Sequence, residues 1–444
     1  MRQNRSKPLY ILIALLVGGL VVFAVVIALT RFEGEMPLLE LDDGPVQAIG
    51  ASHILKGLAS DQKTGLRRVW IAVIQNGKEK VLFDQSFPSK GFLSGGVVQS
   101  VPFSIEIKAD EVGLVDGEAL LRTAVWDFSW RGWWTGNQTY AEHRVLIDTQ
   151  PPVIEVLSRA HNINQGGSGL AIYRISESSP VHGIHVGDSF FPGYTGFSDD
   201  PNLYIVFFCL AYDQKPDVEI WISAEDDAGN TGRAGLAYHV NPKRFKSDRI
   251  VLSDSFLKRK VPELSRFLDL RRANQEILIE ACKHSDAKLH WEGSFVRLPG
   301  SARMAGFADH RKYEYEGKVV DEQFHMGIDL ASKAHAPIPA ANTGRVALAE
   351  YVGIYGNAVI LDHGFGLFSM YGHLSRIAVK VDQTVSRGDV IGYTGTTGLA
   401  GGDHLHYAMM IGYTFINPIE WWDPNWIKNN VTSKLRDVSQ GVEG

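Results

Sequence analysis

Residues 396–410 read TTGLAGGDHLHYAMM and place two histidines, His404 and His406, one residue apart behind a pair of glycines. Side chains alternate between the two faces of a β-strand, so both imidazoles would point to one face and Leu405 to the other. Two histidines on one face can share a metal ion, or one can bind the metal while the other transfers protons. An isolated pair of this kind also fits a plain polar edge strand. Other residues must therefore show whether the pair has a role in metal binding or proton transfer.

A second group of candidate ligands lies in the stretch FHMGIDL, which contains His325 and Asp329. Residues four apart share a face in a strand and also in a helix, and Gly327 between them disfavours the helix. A neutral imidazole and a carboxylate suit Zn²⁺. One histidine from DHLHY would complete the three protein ligands of a catalytic zinc site and leave the fourth position for water.

The stretch SMYGHLS adds His373, in a run typical of a strand. Taken together and in this order, these segments resemble the M23 family of zinc metallopeptidases, the lysostaphin/LytM-type domain of peptidoglycan endopeptidases. The resemblance runs from about Trp291 to Trp422 and includes WEGSFVRLP and APIPAANTGRV. It implies a compact antiparallel β domain with a groove over the metal, and substrates that are peptide bridges or stems of the bacterial cell wall.

The resemblance also implies a role for each residue of the site. His325 and Asp329 match the family's HxxxD ligand pair, and His406 matches its third ligand, for one Zn²⁺ per chain. His373 and His404 match two histidines that do not bind the metal and take part in catalysis. No glutamate lies between ligands as in HExxH enzymes, so the acid–base chemistry falls to these two histidines, and which of them is the base stays open.

The N-terminus is a candidate membrane anchor. Residues 8–30, PLYILIALLVGGLVVFAVVIALT, carry no charge and are long enough to cross a bilayer as a helix. Arg2, Arg5 and Lys7 precede them, which predicts a cytoplasmic N-terminus and an otherwise extracytoplasmic, single-pass protein of the inner membrane. A cleaved signal peptide is the alternative, but IALTRFEGEM lacks the small-residue cleavage site that it would require.

The region between the anchor and about Val240 consists of short alternating apolar segments separated by turn residues. RRVWIAVIQNGKEKVLFDQSF predicts a hairpin around Asn76–Gly77. A weak internal repeat resembles bacterial immunoglobulin-like domains, and the pair Pro151–Pro152 interrupts the strand pattern between its copies. We therefore predict two β-sandwiches in tandem, with a domain joint from about Thr149 to Pro152.

Apolar residues recur at helical spacing between Ser253 and His284, which predicts a helical linker. The chain is thus predicted to be mainly β, with a transmembrane helix, tandem sandwiches, the linker and an antiparallel peptidase domain. In chain order, the predicted segments are the cytoplasmic tail 1–7, the anchor 8–30, the sandwiches 36–150 and 151–241, the linker 250–288, the peptidase domain 289–425 and the C-terminal tail 426–444.

Other features limit the classes of partner. The formal net charge of −6, without a basic cluster beyond the N-terminal tail, argues against nucleic acid. Cys209 and Cys282 fall in different predicted domains and do not indicate a disulfide. Four tryptophans, at positions 126, 130, 133 and 134, either pack in the core and at strand edges or stack on sugars.

These observations predict a membrane-anchored zinc metalloendopeptidase that hydrolyses peptide cross-links of peptidoglycan. The sandwiches would serve as a spacer or adaptor and are a possible binding site for a regulatory protein. The alternative is a catalytically silent LytM-type regulator that activates cell-wall amidases, as in relatives that have lost ligands. All five site positions are intact in this chain, which favours the enzyme. The peptide bond that is cut stays open.

Overall fold

The computed structural model describes residues 7–91, 93–251 and 267–442. Strands make up 46% of the structure and helices 16%, which confirms the mainly β class. The described chain divides into two compact units, one of residues 1–151 with 225–231 and one of residues 152–224 with 232–444. Part of the predicted helical linker, residues 252–266, and most of the predicted cytoplasmic tail lie outside the described residues.

The N-terminal helix α1 spans Lys7–Arg31. Within the described part of the chain it is the one helix long and apolar enough to cross a membrane, by length and composition, over Leu9–Arg31. A signal sequence meets the same criteria. The helix predicted from the uncharged run is therefore present.

The first unit contains two sheets, with the strand orders β1-β3-β8 and β2-β10-β9-β4-β5, and a two-stranded ribbon, β6-β7. Apolar side chains from both larger sheets form one core cluster, which includes Leu55, Ile107, Ile71 and Leu121. The strands are β1 Leu38–Leu41, β2 Ala48–Ile49, β3 Ser52–Ser60, β4 Leu66–Gln75, β5 Lys78–Ser86, β6 Ser89–Gly91, β7 Gly95–Gly96, β8 Ser100–Lys108, β9 Gly117–Asp127 and β10 Gln138–Ile147, with the short helices α2 Ala109–Val112 and α3 Arg131–Trp134.

The predicted hairpin is confirmed, because β4 and β5 pair antiparallel and are joined by two residues. Both turn residues have positive φ, 53° at Asn76 and 72° at Gly77. Such turns match the right-handed twist of the paired strands, and an Asn-Gly pair adopts them at little cost.

The second unit begins with three small sheets, of strand orders β11-β13-β16, β12-β19 and β15-β14-β17-β18. Their apolar strands are short, and β13 and β16 are buried along almost their whole length. The strands are β11 Ile154–Val156, β12 His161–Asn164, β13 Ser168–Ile175, β14 Val181–Val186, β15 Ser189–Pro192, β16 Leu203–Cys209, β17 Ile220–Glu225, β18 Thr231–Gly235 and β19 Tyr238–Asn241.

The C-terminal part of the second unit is built on a large sheet of order β21-β24-β32-β28-β27-β26-β30, with β33 paired to β32. The sheets β20-β22-β23 and β25-β31-β29 complete it. The elements are β20 Ser247–Val251, α4 Phe267–Cys282, β21 Ala302–Ala305, β22 His310–Tyr315, β23 Lys318–Phe324, β24 Ile328–Ala331, β25 Pro337–Pro339, β26 Gly344–Val352, a 3₁₀ turn Gly353–Tyr355, β27 Gly356–Asp362, β28 Leu367–Leu374, β29 Arg376–Ile377, β30 Thr384–Val385, β31 Val390–Tyr393, β32 Leu405–Ile411, β33 Thr414–Ile416, α5 Pro418–Trp422, α6 Pro424–Ile427, a π turn Lys428–Thr432 and α7 Ser433–Val442.

A large hydrophobic core joins the small sheets of the second unit to its C-terminal part. Phe207 of β16 lies 6.5 Å from Trp291 and 5.8 Å from Trp421, measured between ring centroids. Trp291 and Trp421 are themselves 5.5 Å apart, edge to face. Aromatic pairs in this geometry add to the free energy of burial. This packing makes the second unit a single body. The domain limits predicted from the sequence stay a prediction.

The two cysteines are free and buried, Cys209 in β16 and Cys282 at the end of α4. Burial raises the pKa of both thiols well above the ordinary value. The reactive form of cysteine is the thiolate, so these side chains serve packing and do not take part in nucleophilic chemistry.

A buried carboxylate, Glu420 of α5, also joins the two parts of the second unit. It accepts hydrogen bonds from the Asn164 amide at 2.7 Å and from the Ser168 backbone N–H at 3.0 Å. The Ser168 hydroxyl donates to the same carboxylate at 3.2 Å. Burial raises the pKa of Glu420, and the hydrogen bonds from Asn164 and Ser168 act in the opposite direction.

Replacing this carboxylate should therefore destabilise the second unit. Glu420→Ala leaves the buried donors of Asn164 and Ser168 without their acceptor, so we expect the free energy of unfolding to fall by about 2–4 kcal/mol. Glu420→Gln keeps one acceptor oxygen and should lose less. The exposed Glu219→Ala is the matched control. Urea unfolding followed by tryptophan fluorescence measures the difference, and equal midpoints for Glu420→Ala and Glu219→Ala would contradict the structural role.

Candidate active site

Three neighbouring strands of the large sheet position the candidate site. Asp329 of β24 pairs with His406 of β32, and Gly372 of β28 pairs with His406 from the other side. His404 precedes β32 and forms a single bridge with Gly395. The sheet register therefore brings residues that are far apart in sequence to one place, and all five predicted site residues meet there.

The prediction that His325 and Asp329 share the face of one strand is wrong. The strand β23 ends at Phe324 and β24 begins at Ile328, so His325 lies in the connection between them. The chain bends at Gly327, and a Cβ added there would lie 2.6 Å from both Cε1 and Nε2 of His406. The glycine is needed because the imidazole ring packs directly against the backbone at this position.

Three buried atoms from His325, Asp329 and His406 form a nearly regular triangle. His325 Nε2 lies 2.9 Å from Asp329 Oδ1 and 3.1 Å from His406 Nδ1. The third side, from His406 Nδ1 to Asp329 Oδ1, is 3.1 Å. Ligands on a tetrahedral zinc ion at about 2.0–2.1 Å are about 3.3 Å apart, so the donor set fits Zn²⁺ in chemistry and in spacing.

The remaining polar atoms of two of these side chains are held by hydrogen bonds. His325 Nδ1 donates to the Gly306 carbonyl at 2.8 Å, which leaves the lone pair of Nε2 directed into the triangle. Asp329 Oδ2 accepts from the Arg311 guanidinium at 3.0 Å, which leaves Oδ1 for the triangle. Outer contacts of this kind orient metal ligands and determine their tautomers. Arg311 did not emerge from the sequence, because nothing local to β22 links it to Asp329.

The protonation states suit metal binding. Burial opposes ionisation of Asp329, but hydrogen bonds with His325, His404 and His406 outweigh it and hold its pKa well below the usual range. Burial lowers the pKa of His406, and repulsion from His325 and His404 acts in the same direction. An ionised carboxylate and a neutral imidazole are the forms that bind zinc.

The two remaining histidines, His373 and His404, lie beside the triangle with their rings 4.8 Å apart between centroids. His373 Nδ1 donates to the Thr397 carbonyl and His404 Nδ1 donates to the Gly402 carbonyl, both at 2.8 Å. In each ring Nε2 is then the atom left for chemistry. His404 Nε2 lies 3.5 Å from Asp329 Oδ1, at the edge of the triangle.

A groove of about 730 Å³ passes over these residues. Its walls come from distant parts of the second unit and were not predicted from the sequence. Tyr212 and Asp213 follow β16, Asn274 and Leu278 belong to α4, and Tyr413 precedes β33.

Comparison with known proteins supports a peptidase. Residues 323–418 match the family described as Peptidase family M23, so this part of the chain is an M23 domain, homologous to the LytM/lysostaphin-type peptidases. The candidate ligands and both further histidines lie within the matched residues.

Among curated proteins, the peptidoglycan DD-endopeptidase ShyA of Vibrio cholerae is 31% identical over 203 residues, which are 44% of this chain and 45% of that one. The DD-carboxypeptidase/endopeptidase Mpg of Neisseria meningitidis is 37% identical over 97 residues, 22% of each chain. The matches thus span less than half the length of these relatives. The catalytic domain of lysostaphin from Staphylococcus simulans is 26% identical, over 30% of this chain and 98% of that one, with a TM-score of 0.25.

The packing of His406 on Gly327 gives a first test of the site. Gly327→Ala places a methyl group 2.6 Å from the imidazole, so the ring must move and the triangle must open. We expect zinc affinity to fall by about tenfold or more, the usual scale for disturbing ligand orientation. Gly235→Ala is the matched control, because a Cβ there meets no atom within 4 Å. Competition with a zinc chelator measures the affinity, and equal affinities for both variants would contradict the packing account.

The contact between Arg311 and Asp329 gives a second test. Arg311→Gln removes the charged donor to Asp329 Oδ2, so the carboxylate should lose its orientation while the direct ligands stay in place. Zinc affinity should fall by about 10–100-fold. Arg303→Gln, in the exposed strand β21, should leave the affinity unchanged. The same chelator competition is the measurement, and retention of the parent affinity by Arg311→Gln would show that Arg311 does not orient the ligand.

Proposed function

We propose that this protein is a zinc metalloendopeptidase, anchored in the inner membrane, that hydrolyses peptide cross-links of bacterial peptidoglycan. The observation that carries the proposal is the triangle of His325, Asp329 and His406 with two further histidines at its edge. Two relatives support the choice of substrate, since their names describe a peptidoglycan DD-endopeptidase and a DD-carboxypeptidase/endopeptidase. The triangle of His325, Asp329 and His406 would hold one zinc ion.

The three ligands leave a fourth coordination position for water, as in catalytic zinc sites. Bound zinc supplies a Lewis acid that polarises the scissile carbonyl and activates water at neutral pH. The chain itself supplies two imidazole Nε2 atoms, of His373 and His404, beside that position. One, unprotonated at Nε2, would accept the proton of the attacking water, and the other, protonated at Nε2 as well as at Nδ1, would donate to the oxyanion that develops on the carbonyl.

The alternative of a silent regulator that activates cell-wall amidases requires an incomplete site. Here each ligand is present, and the Gly306 carbonyl and Arg311 orient two of the three. Each non-ligand histidine is also fixed by a carbonyl acceptor. The complete set of ligands and the hydrogen bonds that orient the site residues support an enzyme over a silent regulator.

The apolar helix α1 is the proposed anchor. Arg2 and Arg5 precede it and Lys7 is its first residue, so the positive-inside rule places the N-terminus in the cytoplasm and the rest of the chain outside the membrane. This orientation brings the groove to the compartment in which peptidoglycan lies. The net charge of −6 gives no attraction to nucleic acid.

Alanine variants of the three histidines around β32 and β28 separate ligand from catalyst. His406→Ala removes one of three protein bonds to zinc, so zinc content and hydrolysis of purified peptidoglycan should both fall. His404→Ala and His373→Ala should keep zinc near one per chain, while turnover falls by about 100-fold or more. The exposed His143→Ala is the control and should match the parent in both measurements.

Elemental analysis and mass spectrometry of released wall fragments provide the two readouts. Loss of zinc in His404→Ala with retention in His406→Ala would reverse the assignment of ligand and catalyst. Hydrolysis at the parental rate by all three variants would refute the enzyme hypothesis.

A further inference from the structure

The first unit exposes two tryptophans at one end. Trp133 is 89% exposed and Trp134 is 51% exposed, and both lie in the short segment α3. Their φ angles are 56° and 73°, in the left-handed region that residues with a Cβ rarely adopt. Large exposed aromatic surfaces on a constrained turn are unfavourable in water and indicate a surface that meets a partner.

The tryptophan segment is bound to the end of α1. The Trp130 backbone N–H donates to the Arg31 carbonyl at 2.7 Å. The Arg131 guanidinium donates to the Phe32 carbonyl at 3.2 Å. The ring of Phe32 packs edge to face on that of Trp130, with 5.6 Å between centroids, and Trp134 packs on Trp130 at 5.1 Å. No linker therefore separates the apolar helix from the exposed tryptophans.

A second turn also lies at the end of α1. A Cβ added to Gly95, in the ribbon β6-β7, would lie 2.5 Å from the Arg31 guanidinium, so this ribbon also packs against the end of α1. Its turn carries Leu93, which is 50% exposed. Arg67, also exposed, donates to the carbonyls of Trp134 and Thr135. Apolar side chains are thus flanked by guanidinium groups where the apolar helix ends.

We propose that Trp133 and Trp134 insert into the interfacial layer of the outer face of the membrane and hold the first unit against the bilayer. The inference rests on the proposed retention of α1 as an anchor. Tryptophan is enriched at membrane–water interfaces because its ring is apolar and its N–H is polar. The guanidinium groups of Arg67 and Arg131 match the phosphates of that layer.

Sugars are the other ligands that exposed tryptophans suggest, because sugar rings stack on indole rings. The geometry disfavours such stacking. A sugar platform presents its ring faces to the ligand, whereas Trp130 and Trp134 meet at 69°, edge to face. Trp126 is covered by the Arg68 guanidinium, 5.3 Å above its ring. The position at the end of α1 favours lipid instead.

Quenching of tryptophan emission by brominated lipid tests the proposal. The full chain is reconstituted in phosphatidylethanolamine–phosphatidylglycerol liposomes that carry bromine close to the headgroups. The helix α1 has no tryptophan, so quenching must come from residues outside it. Two of the ten tryptophans are proposed to contact lipid, and we expect a loss of about a fifth of the emission. A W133A/W134A double variant should show at most half of that loss.

Trp126→Phe is the matched control and should be quenched like the parent. A W133F/W134F variant keeps the apolar surface if the alanine variant fails to fold, and it should likewise lose the quenching while still floating with the liposomes. Soluble disaccharide–peptide fragments of the wall, added to the chain in detergent, should leave the emission unchanged.

The outcomes of the quenching experiment can be distinguished from those that test the proposed hydrolysis of peptidoglycan. If the chain floats with the liposomes and is not quenched, the interface is refuted and the anchor stands. If it does not float, the anchor and the interface both fail, whereas hydrolysis of peptidoglycan by the same sample is judged independently. Two further results would refute the proposal. One is quenching that persists in both double variants. The other is a change in emission when wall fragments are added, if that change is absent from the W133F/W134F variant.

Discussion

Three electron-pair donors directed at one buried point are the constraint on which the site depends. His325 Nε2, Asp329 Oδ1 and His406 Nδ1 lie within 3.1 Å of one another. Such an arrangement is stable only when a cation or protons occupy its centre, and the low pKa of Asp329 keeps the carboxylate ionised. The surrounding contacts all serve to hold it. The Gly306 carbonyl fixes the tautomer of His325, Arg311 takes the outer carboxylate oxygen and Gly327 makes room for the His406 ring.

The second unit shows why the groove cannot be understood from the matched residues alone. Phe207 of the small sheets packs with Trp291 and Trp421 in one core, and Glu420 hydrogen-bonds back to Asn164. The same sheets carry Tyr212 and Asp213, which form a wall of the groove. The position of that wall relative to the triangle is thus maintained by the shared core, and residues outside the M23 match form part of the groove.

Local patterns were enough to predict some parts of the structure and not others. The hairpin at Asn76–Gly77 was predictable because two adjacent residues determine the turn. The candidate ligands could be named from the sequence because their order along the chain is characteristic of the M23 family. His325 and Asp329 do not lie on one strand, and the space that a side chain at position 327 would need is taken by the ring of His406, which lies 79 positions further along the sequence. Arg311 and the groove walls were not predicted from the sequence, because only long-range packing brings them to the site.

X-ray absorption at the zinc edge of the full chain tests the central claim most directly. The account predicts one zinc ion bound only by nitrogen and oxygen at about 2.0–2.1 Å, with the outer-shell pattern of two imidazoles. His406→Ala should reduce that pattern to one imidazole. Sulfur at about 2.3 Å, three or more imidazoles, or no zinc uptake would contradict the assignment of His325, Asp329 and His406 as the ligands.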